Sequence, residues 1–200
     1  YPEVRQHLIE VWANAVTEWG LDGFKFDFID SIPQSVEFKA GMDTISVYDA
    51  IDRLMKDALA ALRKLKPDIL IEFRQNYIGP LMRTYGNMLR STDCPNDSYS
   101  NRMNVLSLRL TSAATPVHSD MVMWNYNEPA EIAAFQLTSV LFSVPQISVL
   151  SDSLSDEHKK LLTYYLRFWR EHRDTLLDGE MHYRGYAANF AYVSACSENE

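Results

Sequence analysis

The chain has 200 residues, 46% of them apolar and 12% aromatic, which is ample material for a packed core and excludes a disordered or low-complexity segment. Its 19 basic and 27 acidic residues leave a formal charge of -8, so nucleic acid and anionic membrane are disfavoured as partners, since either needs a cationic surface. Two cysteines, Cys94 and Cys196, are too few for a disulfide framework or a Cys-rich zinc site, and the most apolar stretch, 132–150, is broken by Gln136, Thr138, Ser139, Pro145 and Gln146, too polar for a bilayer span.

From the first residue to Gly20, Val4, Leu8, Val11, Trp12, Ala15 and Trp19 recur at the spacing of one helical face, with Pro2 in the first turn. Residues 22–29 then alternate Phe24, Phe26 and Phe28 against Lys25, Asp27 and Ile29, the period of a strand. A loop over 30–46 leads to a helix over 47–65, which stops before Pro67, and to a strand over 68–74. Further strands are expected near 88–92, 115–119 and 146–150, with helices near 99–113 and 129–143 and a last one from about Ser155, whose hydroxyl can cap it.

Strands separated by helices pair in parallel, so the fold class is α/β: either a doubly wound sheet or part of a (β/α)8 barrel. No GxGxxG or GxxxxGK[ST] turn is present, which argues against a nucleotide-binding sheet. Five strands are too few to close a barrel, and the expectation is therefore the C-terminal part of one over 1–180, missing about three βα units upstream. The aromatic-rich segment 181–200 has lost the helical period and reads as the start of a β domain.

If the Phe face of the first strand meets helices, Lys25 and Asp27 point into the barrel, two apart and close enough to pair. Residues 68–74 repeat the pattern, with Ile69, Ile71 and Phe73 on one side and Leu70, Glu72 and Arg74 on the other. The next strand delivers Asp93 to its C-terminal end, the end at which barrel enzymes keep their active sites; by alternation Arg90 points elsewhere. Asp97 follows, either as a turn former or as a site residue, and His118 and Asp120 are expected at the end of the strand after that, with His118 as a binding candidate.

Carboxylates projecting from separate strand ends into one pocket are the equipment of glycoside hydrolysis: one attacks the anomeric carbon and the other protonates the leaving oxygen. Lys25 would hold Asp27 ionised, as a nucleophile requires, and a less charged setting would keep Asp93 protonated. The acidic balance and the many aromatic rings suit a neutral sugar substrate.

The segment Gly20-Leu21-Asp22-Gly23-Phe24-Lys25-Phe26-Asp27 resembles the G-x-D-x-x-K-x-D strand of the α-galactosidase (melibiase) clan, glycoside hydrolase families 36, 27 and 31. Arg90-Ser91-Thr92-Asp93-Cys94-Pro95-Asn96-Asp97 is similar to the S-D-x-x-D stretch of family 36, and Thr115-Pro116-Val117-His118-Ser119 to its M-G-x-H-x-S strand. The resemblance covers about residues 1–180 and implies a retaining hydrolase of terminal α-linked sugars, first of all an α-galactosidase, working without cofactor or metal on an oligosaccharide or glycoside. It implies Asp27 as nucleophile and Asp93 as acid/base, with Lys25, Asp97 and His118 as sugar-site residues; Glu72 and Arg74 join them from the second strand.

Two departures stand out: Asp93 and Asp97 are four apart where the family has three, and Phe73-Arg74-Gln75-Asn76-Tyr77 replaces a C-x-x-G-G-G run, so Arg74 could instead select a differently substituted or anionic ring. Related α-glycosidase specificities therefore stay open, as does homo-oligomerisation. A metal enzyme of the enolase kind would use Asp27, Glu72 and Asp93 as Mg²⁺ ligands, but Arg74 on the Glu72 face would repel the ion. A non-catalytic carbohydrate-binding barrel would not need to keep both Asp27 and Asp93.

Overall fold

The computed structural model describes residues 1–34, 37–74, 76 and 78–198. Two compact units divide the chain, Tyr1–Met88 and Leu89–Glu200. The chain is α/β: five strands, each followed by a helix, run in chain order as in part of a (β/α)8 barrel.

In the first unit, α1 (Pro2–Glu18) begins with a proline, whose missing N–H costs nothing in a first turn, and ends before Gly20, which sits in the left-handed region at φ +67. β1 (Gly23–Phe26) pairs in parallel with β2 (Leu70–Arg74), from Gly23 opposite Leu70 to Phe26 opposite Phe73. Gly23 is required there, because a Cβ would stand 2.3 Å from the Leu70 carbonyl oxygen. Between the strands α2 (Val47–Leu65) is capped by the Ser46 hydroxyl accepting from Asp49 N–H, and its Met55, Ala58, Leu59 and Leu62 are buried. Ile69, Ile71 and Phe73 are buried on β2, and the ring of Phe26 meets those of Trp12 (4.8 Å between centroids) and Phe73 (6.0 Å). The one-turn helix α3 (Met82–Tyr85) has no signal in the hydrophobic pattern.

The second unit begins one residue into β3 (Met88–Arg90) and continues with α4 (Ser98–Thr111), β4 (Val117–Val122), α5 (Ala130–Ser139), β5 (Val144–Ile147) and α6 (Asp156–Asp178). β4 pairs in parallel with β3 on one side and β5 on the other. The Ser155 hydroxyl caps α6 by accepting from His158 N–H, as its position predicts. Val122, Trp124, Leu137, Val140 and Tyr165 form the core between β4, α5 and α6. An antiparallel hairpin of β6 (Glu180–Arg184) and β7 (Tyr192–Cys196) follows, in the segment where strands are expected.

Several boundaries differ from the sequence reading. β1 stops at Phe26 rather than reaching residue 29, because Phe28 turns into the left-handed region at φ 55; it does not face helices but is 62% exposed. β3 ends at Arg90, two residues early. β4 begins two residues late and runs on to Val122, so His118 lies near its start and not at its end. α5 stops at Ser139, four residues early, and β5 begins at Val144, two residues before the expected strand, and ends at Ile147, three residues short of it.

Candidate active site

Asp27 is the first residue past the C-terminal end of β1, and its carboxylate meets donors from three directions. Arg74, the last residue of β2, donates from Nε to Oδ1 at 2.5 Å; the Phe28 backbone N–H donates to the same oxygen at 2.8 Å; Lys25 Nζ lies 3.9 Å from Oδ2. Partial burial pushes the Asp27 pKa up, but the hydrogen bonds from Arg74 and Phe28 and the charges of Arg74 and Lys25 outweigh it and hold the carboxyl below its ordinary value. The sequence assigned this part to Lys25; the shorter contact belongs to Arg74, whose guanidinium carbon also lies 4.9 Å from the centroid of the Phe28 ring. Glu72 is buried on β2, one alternation before Arg74. The replacement for the glycine run continues into Gln75 and Tyr77, which lie outside the described residues.

In the second unit the expected isolation of Asp93 does not hold. Arg90 Nη1 donates to Asp93 Oδ1 at 2.7 Å and to the Ser91 carbonyl at 3.2 Å, so a guanidinium stands where a weakly charged setting is expected. Alternation sent Arg90 away from Asp93, but it fails here because the strand ends at Arg90 and the chain turns before Asp93. The other arm of Arg90, Nη2, donates to Oδ1 of Asp120, and Nε to Gln146 Oε1 at 3.3 Å. Arg90 is 4% exposed and Asp120 fully buried, whereas the Asp93 side chain is 57% exposed.

Asp120 reaches Arg90 through a register shift in β4 between His118 and Met121. There the Asp120 backbone is taken over by the Asn101 side chain of α4: its Oδ1 accepts from Asp120 N–H at 3.0 Å and its Nδ2 donates to the Asp120 carbonyl at 3.2 Å. The Ser119 hydroxyl donates to the same carbonyl and accepts from Gln146 N–H. Asp120 Oδ2 accepts from the backbone N–H of Cys94 at 2.5 Å. Burial, together with the Asp120 charge, pushes the Cys94 thiol up to about 11.

Asp97 caps α4: its Oδ1 accepts from Ser100 N–H at 2.9 Å and its Oδ2 from the Ser100 hydroxyl at 2.6 Å, and these bonds hold its pKa below the ordinary value. His118, half-buried opposite Arg90 in the β3–β4 register, has Nδ1 3.4 Å from Gln146 Nε2. Past the ends of these strands lies a cavity of ≈ 600 Å³ lined by Asn96, Trp124, Asn125, Tyr126 and Glu128 among others, a volume within the range of about 300–1,000 Å³ usual for small-molecule sites. None of Lys25, Asp27, Glu72, Arg74, Asp93, Asp97 and His118 lines this cavity, nor the larger hollows between α1 and α2 and between α6 and the hairpin. Arg90 and Asp120 were given no part by the sequence, although Asp120, two residues after His118, was the available signal.

No family model matches the chain, and no curated protein does either. Among solved structures, it is similar to the crystal structure of an Anoxybacillus α-amylase described as giving insight into a new glycosyl hydrolase subclass, at 12% identity and a TM-score of 0.58. The match covers 92% of this chain and 47% of the amylase, so the chain spans about half of that protein's length. The likeness is one of fold: this chain shares the α/β fold of part of that glycosyl hydrolase.

Proposed function

We propose that the chain belongs to a retaining glycoside hydrolase acting on terminal α-linked sugars, with Asp27 as nucleophile and Asp93 as acid/base, and in the first place to an α-galactosidase. The observation that carries this reading is the setting of Asp27, kept ionised just past a strand end by Arg74, the Phe28 N–H and Lys25. The motif resemblance and the fold shared with a glycosyl hydrolase support it.

In the first step the Asp27 carboxylate attacks the anomeric carbon, the bond from that carbon to the glycosidic oxygen breaks, and the proton of Asp93 passes to the departing oxygen. In the second, Asp93 takes a proton from water, which displaces Asp27 from the anomeric carbon and restores both groups. Lys25, Glu72 and His118 are candidates to hold sugar hydroxyls. The engagement of Arg74 with Asp27 and Phe28 favours a neutral sugar over the anionic one that its sequence position left open.

The test is to trap the glycosyl intermediate. A fluorinated α-galactosyl fluoride, which forms the ester faster than it is hydrolysed, is incubated with the full-length enzyme, and the labelled peptide is identified by mass spectrometry. An adduct on Asp27 is expected. An adduct on another residue overturns the nucleophile assignment, and no adduct from any α-configured fluoride overturns the reaction class.

A further inference from the structure

Asp120 presents a combination that a plain structural ion pair does not require. Its carboxylate is fully buried, yet each oxygen is directed at something attached to Asp93: Oδ1 receives Arg90 Nη2, the guanidinium whose Nη1 holds Asp93, and Oδ2 receives the N–H of Cys94, the peptide bond that follows Asp93. The register shift in β4, with Asn101 and Ser119 satisfying the backbone it frees, is what turns Asp120 into this position. One cation is thus shared between two carboxylates, one buried and one exposed.

This sharing bears on proton transfer. An acid/base must carry a proton at the start of the cycle and lose it in the first step. A lone guanidinium beside Asp93 would favour its ionised form throughout and remove the donor. Arginine cannot relieve this by giving up its own proton. A second, permanently buried carboxylate on the same guanidinium cancels that bias while leaving its hydrogen bond to orient Asp93.

We propose that Asp120 is the positioning and charge-balancing residue of the acid/base Asp93: it neutralises Arg90, so that Asp93 can hold a proton, and it pins the Cys94 amide, so that the Asp93 carboxyl keeps its direction. This rests on the assignment of Asp93 as acid/base. The other titratable groups around Asp93 and Arg90 are the Cys94 thiol and Asp97 from the β3–α4 loop and His118 from β4, which meets Gln146. Asp93 takes the Nη1 end of Arg90 and Asp120 the Nη2 end.

The experiment compares kcat/KM against pH for the full-length enzyme and its D120N, R90Q and R90Q/D120N variants, on phenyl α-galactoside, which needs a proton to depart, and dinitrophenyl α-galactoside, which does not. D120N leaves Arg90 uncompensated, and its high-pH limb on the phenyl substrate is expected to fall by about one to two pH units, with the low-pH limb in place. R90Q leaves the Asp120 anion alone and is expected to raise the same limb, and the double variant to bring it back towards the parent. A D120N profile lowered equally at every pH, with the limb unmoved, would overturn the proposal and leave Asp120 a merely structural group. If D120N does not fold, the other two variants decide: a limb that returns towards the parent in R90Q/D120N supports the proposal, and one displaced as far as in R90Q overturns it. Identical high-pH limbs for both substrates in the parent would instead show that Asp93 is not the proton donor, and the acid/base assignment would fall first.

Discussion

Arg74 is clasped between Asp27 and Phe28: its Nε donates to the Asp27 carboxylate at 2.5 Å while its guanidinium carbon lies 4.9 Å from the centroid of the Phe28 ring. The left-handed turn at Phe28 brings that ring into place and aims its own N–H at the same oxygen. The Arg74 side chain is only 13% exposed, which limits screening of the pair. A nucleophile must be ionised, so activity is lost as pH falls through its pKa, and Arg74 holds that pKa down. Arg74→Met is therefore expected to move the low-pH limb of kcat/KM upward by about one pH unit or more. A limb that stays in place would show that Lys25 and Phe28 suffice.

Asp27→Ala removes the attacking group and is expected to lower kcat by about a thousandfold or more on every substrate. Added azide should restore part of the turnover and yield a β-configured glycosyl azide, detectable by NMR. Loss without rescue by any small nucleophile would count against Asp27.

For Asp93→Ala the loss should depend on the leaving group. Phenyl α-galactoside needs protonation and should suffer by about 10²–10⁴-fold, the usual worth of general acid catalysis, and dinitrophenyl α-galactoside much less. A series of aryl substrates gives the slope of log kcat/KM against leaving-group pKa, which should steepen in the variant. An unchanged slope would remove Asp93 from the role.

Chelation separates the hydrolase from a metal-dependent enzyme. Each proposed step uses carboxylates of the chain alone, so dialysis against EDTA should leave turnover unaltered. Activity abolished by EDTA and restored by Mg²⁺ would favour the enolase-like assignment of Asp27, Glu72 and Asp93.

Stability rests on the buried face of α2, made by Met55, Ala58, Leu59 and Leu62. Leu62 is fully buried there, and Leu62→Ala should destabilise the protein by about 2–5 kcal/mol, read as a lower midpoint in urea with the slope unchanged. A loss below about 1 kcal/mol would mean the site closes around the gap.

The helices were largely legible because their signals are repeated along many residues: α1, α2 and α6 each carry an apolar stripe, with Pro2 at the start of the first and Ser155 at the start of the last. The alternation of β2 was legible too, since Ile69, Ile71 and Phe73 are buried as a set. The errors lie where a strand stops. Periodicity carried β1 through Phe28, although one residue with positive φ ends it, and carried β3 past Arg90, which hid the contact between Arg90 and Asp93. β4 runs on to Val122, which leaves His118 near its start, and a register shift after His118 brings Asp120 to the guanidinium. Such features depend on single backbone angles and on partners 19 and 30 residues away, Asn101 and Arg90 for Asp120, and no local pattern reports them.

The Asn101 amide offers the Asp120 backbone the donor and acceptor that a neighbouring strand would otherwise provide, so at this one residue the sheet is completed by a helix. Solvent access to the Asp120 amide is thereby tied to movement of α4, not to fraying of the β3–β4 ladder. Hydrogen exchange at that amide should follow the kinetics of α4 amides around Asn101 and should be slowed by whatever holds that helix in place. The rigidity of the Asp93 surroundings would then be set by the seating of a helix whose first turn is fastened by Asp97, seven residues or fewer from every group that turns towards Arg90 within its loop.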